Sequence, residues 1–170
     1  MLDEIFILET PPLTSCYCRV GEQACVPITG SHGRRVLHGA INIQTGDVVL
    51  LVTDTFNQGT HQNFLHLIRS HWRGWQIVLF EDRAKQHTAY ASRELATNLN
   101  IQIRLLPKAT PELNAVDHLW RHTTRDGLAN RPTITMDQSA EAACQYIQYL
   151  SPCQRLRKAG VLSGNFWLAK

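Results

Sequence analysis

Leu105-Leu106-Pro107-Lys108-Ala109-Thr110-Pro111-Glu112-Leu113-Asn114-Ala115-Val116-Asp117-His118-Leu119-Trp120 is the stretch on which the reading of the fold turns. Pro107 and Pro111 interrupt the backbone, and Pro111 suits the first turn of a helix that follows. In that helix Leu113, Val116, Asp117 and Trp120 obey the i, i+3, i+4, i+7 rule and share one face. A carboxylate on an apolar stripe is costly unless something compensates it. A divalent cation is one compensation, and an ion pair with Arg121 one turn on is another.

A second acid lies upstream. Gln76-Ile77-Val78-Leu79-Phe80-Glu81 is a short, nearly unbroken apolar run, the pattern of a strand buried on both faces, and Asp82 stands at its carboxyl end. Chemistry in open α/β sheets gathers outside the carboxyl ends of strands. The 34 residues 83–116 hold a helix (Ala84 to Leu99), a strand (101–106) and a loop. The chain can therefore leave the sheet, return, and set Asp117 beside Asp82.

Around these acids the pattern predicts a first strand over Ile5–Glu9 and a short strand over Cys25–Thr29 before a Gly30-Ser31-His32-Gly33 turn. It predicts a hairpin of Val36–Ile43 and Asp47–Thr53 about Gln44-Thr45-Gly46, and helices over Gly59–Trp72 and Thr135–Leu150. Gly127 and Pro132 close the Asp117 helix. Strands followed by alternating helices and strands imply a mixed α/β sheet with helices on its faces.

With 170 residues one full hydrophobic core is expected. The net charge of +3 permits a polyanionic partner without arguing for one. Five cysteines, Cys16, Cys18, Cys25, Cys144 and Cys153, form no regular framework and read as reduced thiols of a cytoplasmic protein. Cys16, Cys18, Cys25 and His32 miss the usual zinc spacing. The longest apolar run, Val48–Val52, is too short to cross a bilayer, and Met1-Leu2-Asp3-Glu4 lacks a basic leader region.

Asp82-x-x-x-x-His87, the 34-residue interval, and Leu-Pro-x-x-x-Pro-Glu-Leu-Asn-x-x-Asp-x-x-Trp over 106–120 resemble the mariner-type transposases and their bacterial insertion-sequence relatives. Leu8-Glu9-Thr10-Pro11-Pro12-Leu13 resembles the family's Asp-Glu-bearing first strand, and Gly39–Gly46 its second and third strands with their turn. The resemblance spans roughly residues 4 to 150. It implies a DDE/D catalytic domain of the RNase H-like, retroviral-integrase-like superfamily, with a mixed five-stranded sheet and helices on both faces. Residues 1–150 would form that domain and 151–170 a basic helical tail, with the family's N-terminal helix-turn-helix region absent.

The resemblance further implies metal-dependent DNA strand cleavage and strand transfer in transposition, with Mg²⁺ or Mn²⁺ as cofactor. DNA (transposon ends and target) would be the partner, no membrane would be involved, and the chain would act as a homodimer. Asp82 and Asp117 would be catalytic metal ligands, and His87 would orient phosphate or activate a nucleophile. Lys108, Arg121 and Arg125 would contact DNA phosphates. In this register the family's first aspartate falls on Leu8, leaving Glu9 as the nearby acid for the third ligand. Strand side chains alternate, so Glu9 must be re-aimed to serve. The alternative is a degenerate, inactive remnant that at most binds nucleic acid. Arg83 stands where the family usually has Asn.

Overall fold

The computed structural model describes residues 1–28, 32–132 and 135–168. Three strands come first: β1 (Leu2–Leu8), β2 (Arg34–Ile41) and β3 (Val48–Thr53). They form an antiparallel meander running from Leu2 opposite Ala40 to Leu8 opposite Arg34, and from Val36 opposite Thr53 to Ile41 opposite Val48. The turn between β2 and β3 closes through Asn42, whose side chain accepts from the backbone amides of Gln44 and Thr45. Gly46 completes it at φ +74°, a left-handed conformation that glycine adopts without strain.

Helix α1 (Gln58–His71) starts at a reciprocal cap between Asn57 and Thr60. Strand β4 (Ile77–Glu81) pairs in parallel with β5 (Ile101–Leu105). The single helix expected over 84–99 is two, α2 (Lys85–Thr88) and α3 (Tyr90–Asn98), separated at Ala89, whose ψ of 134° is extended. The Thr88 hydroxyl bonds back to Ala84 O and Lys85 O, offering the backbone a local alternative to continuation. Then come α4 (Ala115–His122), a π-helical turn over Thr123–Leu128, α5 (Met136–Tyr149) and α6 (Pro152–Lys158). The expected strand over 25–29 does not form across Cys25–Ile28, and Thr29, Gly30 and Ser31 lie outside the described residues.

The fold is mixed α/β, but the ladders divide into three strands and two rather than joining as one five-stranded sheet. β1 and β4 are in contact without ladder pairing. The first strand also begins earlier than expected, at Leu2, and ends at Leu8. Glu9 keeps one ladder-like bond, its amide donating to Gly33 O at 2.9 Å, before Thr10, Pro11 and Pro12 leave the sheet.

Alternation sorts the side chains into two cores. Ile7, Leu37 and Ile41 face α4, α5 and α6, packing with Val116, Trp120, Ala143, Ile147 and Leu156. Leu2, Ala40 and Val49 face the other way, toward Phe64, Leu65 and Ile68 of α1, with Leu79 and Ile101 in the same cluster. Residues 151–168 belong to the first core through Leu156, Ala159 and Phe166. Gly39 decides how closely α4 approaches: a Cβ there would stand 2.5 Å from Trp120 Cη2, so only glycine admits the indole against β2.

Candidate active site

Asn114 sets the position of α4. Its side chain accepts from Val116 N at 3.1 Å, capping the helix, and donates to Leu2 O at 3.0 Å. The residue is 3% exposed. One buried amide thus fastens the start of α4 to the start of β1, and Asp117 emerges beside Asp3. Asp82 leaves the end of β4 into the same space. Asp3, Asp82 and Asp117 line one cleft of about 390 Å³, together with Arg83, Lys108 and Asn114.

Burial, and then the charges of Glu4, Asp117 and Asp82, push the Asp3 carboxyl up to about 7. The site therefore concentrates more negative charge than its own surroundings satisfy. Asp117 lies at the edge of its apolar stripe and pairs through Oδ2 with Arg121 Nη2 at 2.7 Å, the ion pair its spacing allowed. Asp82 is half exposed; the hydrogen bond from His87 (Nδ1 to Oδ1, 2.7 Å), against partial burial and with the Ala84 amide, holds its carboxyl below the usual range.

His87 is buried behind Asp82 rather than open to the cleft. Its Nε2 lies 3.3 Å from Glu4 Oε1, and Glu4 Oε1 also lies 3.1 Å from His38 Nδ1. Burial opposes its charge, but Asp82 and Glu4 outweigh that and raise His87 to about 10, an imidazolium at neutral pH. Glu4 is pushed up by burial but drawn below its ordinary value by its two histidine partners.

The structure does not bring Glu9 to Asp82 and Asp117. Glu9 Oε2 accepts from Gly33 N at 3.2 Å, beyond the far end of β1, and Leu8 is a 55% exposed strand residue. Asp3-Glu4, five residues before the 8–9 pair, is the acidic pair of β1 that reaches the cleft region. The cue was present in the sequence as two adjacent acids at the head of an otherwise apolar strand. Because side chains alternate, a strand through that pair sends one acid to each face.

Lys108 lines the three-aspartate cleft. Arg121 and Arg125 line an adjoining groove with Asp117 and Thr124. Arg125 is held along the surface by Asp126, its Nε 2.7 Å from Oδ1. Sequence reasoning also missed His38, His61 and Glu81, all fully buried polar residues inside apolar runs or faces. The five cysteines are all free thiols.

The family model described as DDE superfamily endonuclease matches residues 1–139. The chain belongs to the DDE endonuclease superfamily. Solved structures similar to this DDE domain include the Mos1 transposase paired-end complex with left transposon end, at 20% identity and TM-score 0.70, covering 95% of this chain and 51% of that one. The Mos1 mariner paired-end complex with Mn matches at 19% identity and TM-score 0.72, over 95% of this chain and 51% of that one. The catalytic domain of Mos1 mariner transposase matches at 17% identity and TM-score 0.64, over 95% of this chain and 74% of that one. At such identities the likeness is one of fold. The DDE domain spans about half the length of the Mos1 chains in the paired-end complexes. No curated protein matches. Among the described residues, no helix is long and apolar enough to cross a membrane.

Proposed function

We propose that this chain is the catalytic domain of a mariner-type transposase, cutting and joining DNA strands with Asp3, Asp82 and Asp117 as its acidic triad. The observation that carries the reading is the meeting of these three aspartates, from β1, the end of β4 and α4, in one cleft. In this reading β1–β5 form one RNase H-like sheet, with the β1–β4 contact as its seam. Residues 1–150 are the catalytic unit, residues 151–168 complete its core, and two copies act together on cytoplasmic DNA.

The donor set fits Mg²⁺ or Mn²⁺: three carboxylates, no sulfur and no imidazole, with the raised Asp3 marking charge that a cation would neutralise. Such ions, when bound, activate the attacking oxygen and stabilise the leaving one. The protein's own residues position these groups. His87 fixes the Asp82 carboxylate, Asn114 fixes the helix that presents Asp117, and Arg121 orients Asp117. Lys108, Arg83, Arg121 and Arg125 border the cleft and its adjoining groove and supply the positive edge for a phosphate backbone. Asp3 thereby takes the place that a first-strand acid at Glu9 would have had.

The test is nicking of supercoiled plasmid DNA by purified protein in Mg²⁺ or Mn²⁺. Wild type is expected to nick, and Asp82→Asn to lose about a thousandfold in rate, about 4 kcal/mol of barrier. DNA binding without metal-dependent nicking would establish the inactive remnant in its place.

A further inference from the structure

We propose that Glu4, His61 and His87, with Glu81 as fourth donor, form a closed site for one divalent transition-metal ion of the zinc class, on the face of β1 opposite the three-aspartate cleft. Among the described residues, Glu4, His61 and His87 are a group whose ligand atoms all lie within 4.8 Å of one another. The contact between Glu4 Oε1 and His87 Nε2, 3.3 Å, already matches the edge of a tetrahedron around zinc, roughly 3.3 Å for bonds of about 2.0–2.1 Å. Glu81 Oε2 stands 3.8 Å from His61 Nε2.

The independent observation is polar demand left unmet. Both ring nitrogens of His61 and both carboxyl oxygens of Glu81 are buried without a hydrogen bond, and both residues are fully inaccessible. Leaving such groups unsatisfied in the interior is costly. Their proximity to Glu4 and His87, with the His61 and His87 rings 4.5 Å apart, suits ligation to a shared ion. Ligation would take the Nε2 proton from His87, and the geometry around its other nitrogen already suits that role. Its Nδ1 donates to Asp82 at 2.7 Å, the carboxylate–histidine arrangement that fixes a ring and leaves Nε2 toward a metal.

The donor set decides the ion class. Two imidazoles and two carboxylates suit Zn²⁺ and its first-row neighbours, whereas Mg²⁺ takes oxygen and water. On binding, Glu81 would give up the proton that burial favours, and the two carboxylates would then cancel the charge of a divalent ion. No ligand position opens to solvent, which is the character of a structural rather than a catalytic centre. Its place in the fold agrees. Glu4 belongs to β1, Glu81 to β4, His61 to α1 and His87 to α2, so the ion would pin the two sheets where ladder bonds do not.

The site shares only the His87–Asp82 bond with the cleft, and the experiment separates the two. Apoprotein prepared with a chelator is titrated with Zn²⁺ against a chromophoric competitor, in millimolar Mg²⁺, with metal content measured by mass spectrometry. One Zn²⁺ per chain is expected, retained in Asp3→Asn and Asp117→Asn. Glu81→Gln is expected to weaken it at least about tenfold, and His61→Gln to abolish it. Circular dichroism checks that His61→Gln folds, and Co²⁺ bound to wild type supplies a second readout independent of that variant: intense visible d–d bands of a tetrahedral site. Failure to hold Zn²⁺ against the competitor, equal affinity in Glu81→Gln, or loss of the ion in Asp117→Asn would overturn the proposal.

Discussion

Asp3 and Glu4 are consecutive in β1, yet they serve two different environments. Asp3 faces α4 and joins two other aspartates in a cleft that opens to solvent and is bordered by Arg83 and Lys108. Glu4 faces α1 and α2 and meets three histidines in the interior, its side chain 6% exposed. The alternation of a strand is enough to separate the two. The open face gathers only oxygen donors and has room for water and phosphate. The closed face gathers imidazoles and is shut off from solvent. They touch at one bond, from His87 to Asp82, so the buried side can set the orientation of a carboxylate on the open side.

The contrast is broken most severely at Asn114, which holds α4 to β1. Asn114→Ala removes a helix cap and leaves Leu2 O without its donor inside the core, and should cost about 2–3 kcal/mol. Chemical denaturation would show it as a lower midpoint with unchanged slope. An unchanged midpoint would mean that packing of Trp120 on Gly39 alone seats the helix.

A smaller effect, opposite in sign, is expected at Asp3. Its folded carboxyl titrates at about 7 against an ordinary 3.8, so the folded state holds its proton longer than the unfolded state. Any stability linked to this group is fully present below pH 4 and is lost as pH rises through 7. Removing the charge should therefore help the metal-free fold at high pH. Asp3→Asn in chelator is expected to be about 1–3 kcal/mol more stable than wild type at pH 8, with the difference gone at pH 4. Thermal melts at the two pH values test it.

The smallest effect belongs to an acid that is already satisfied. Asp126, in the π-helical turn, accepts from Arg125, Lys158 and Tyr146. The Arg125 hydrogen bond, against slight burial and helped by Lys158 and Tyr146, holds its carboxyl far below the usual range. Its stability contribution is present above pH 4 and lost as pH falls toward its folded value. Solvent screens these partners, so Asp126→Asn should cost only about 0.5–1 kcal/mol at pH 7, and progressively less in acid. Asp3 and Asp126 should thus respond to pH in opposite directions.

Much of this was legible in the sequence where one residue type implied one environment. The apolar run 77–81 marked a strand, although it is buried on the Ile77, Leu79 and Glu81 face alone and Val78 is exposed, and Pro111 with Asn114 marked a helix start carrying Asp117 on its apolar side. The hairpin about Gly46 and the two 14-residue helices followed from period and turn chemistry. The first strand was misread because Asp3 and Glu4 do not look like strand interior. One acid meets a helix face and the other a histidine cluster, and both environments are built by residues 34 to 114 positions away. His61 and Glu81 were invisible for the same reason: nothing local reveals that a histidine in a helix and a glutamate ending a strand will meet in the interior. The break at Ala89, where ψ turns extended beside the Thr88 hydroxyl bonded back to Ala84 O, left no trace in the apolar period.

The reading stands most directly on which acid of the first strand completes the cleft. Calorimetric titration of Mn²⁺ into Zn²⁺-saturated protein, comparing Asp3→Asn with Glu9→Gln, decides it. Asp3→Asn is predicted to weaken Mn²⁺ binding by at least about tenfold, near 1.4 kcal/mol, while Glu9→Gln binds as wild type does. Loss of binding in Glu9→Gln with Asp3→Asn unaffected would contradict the account.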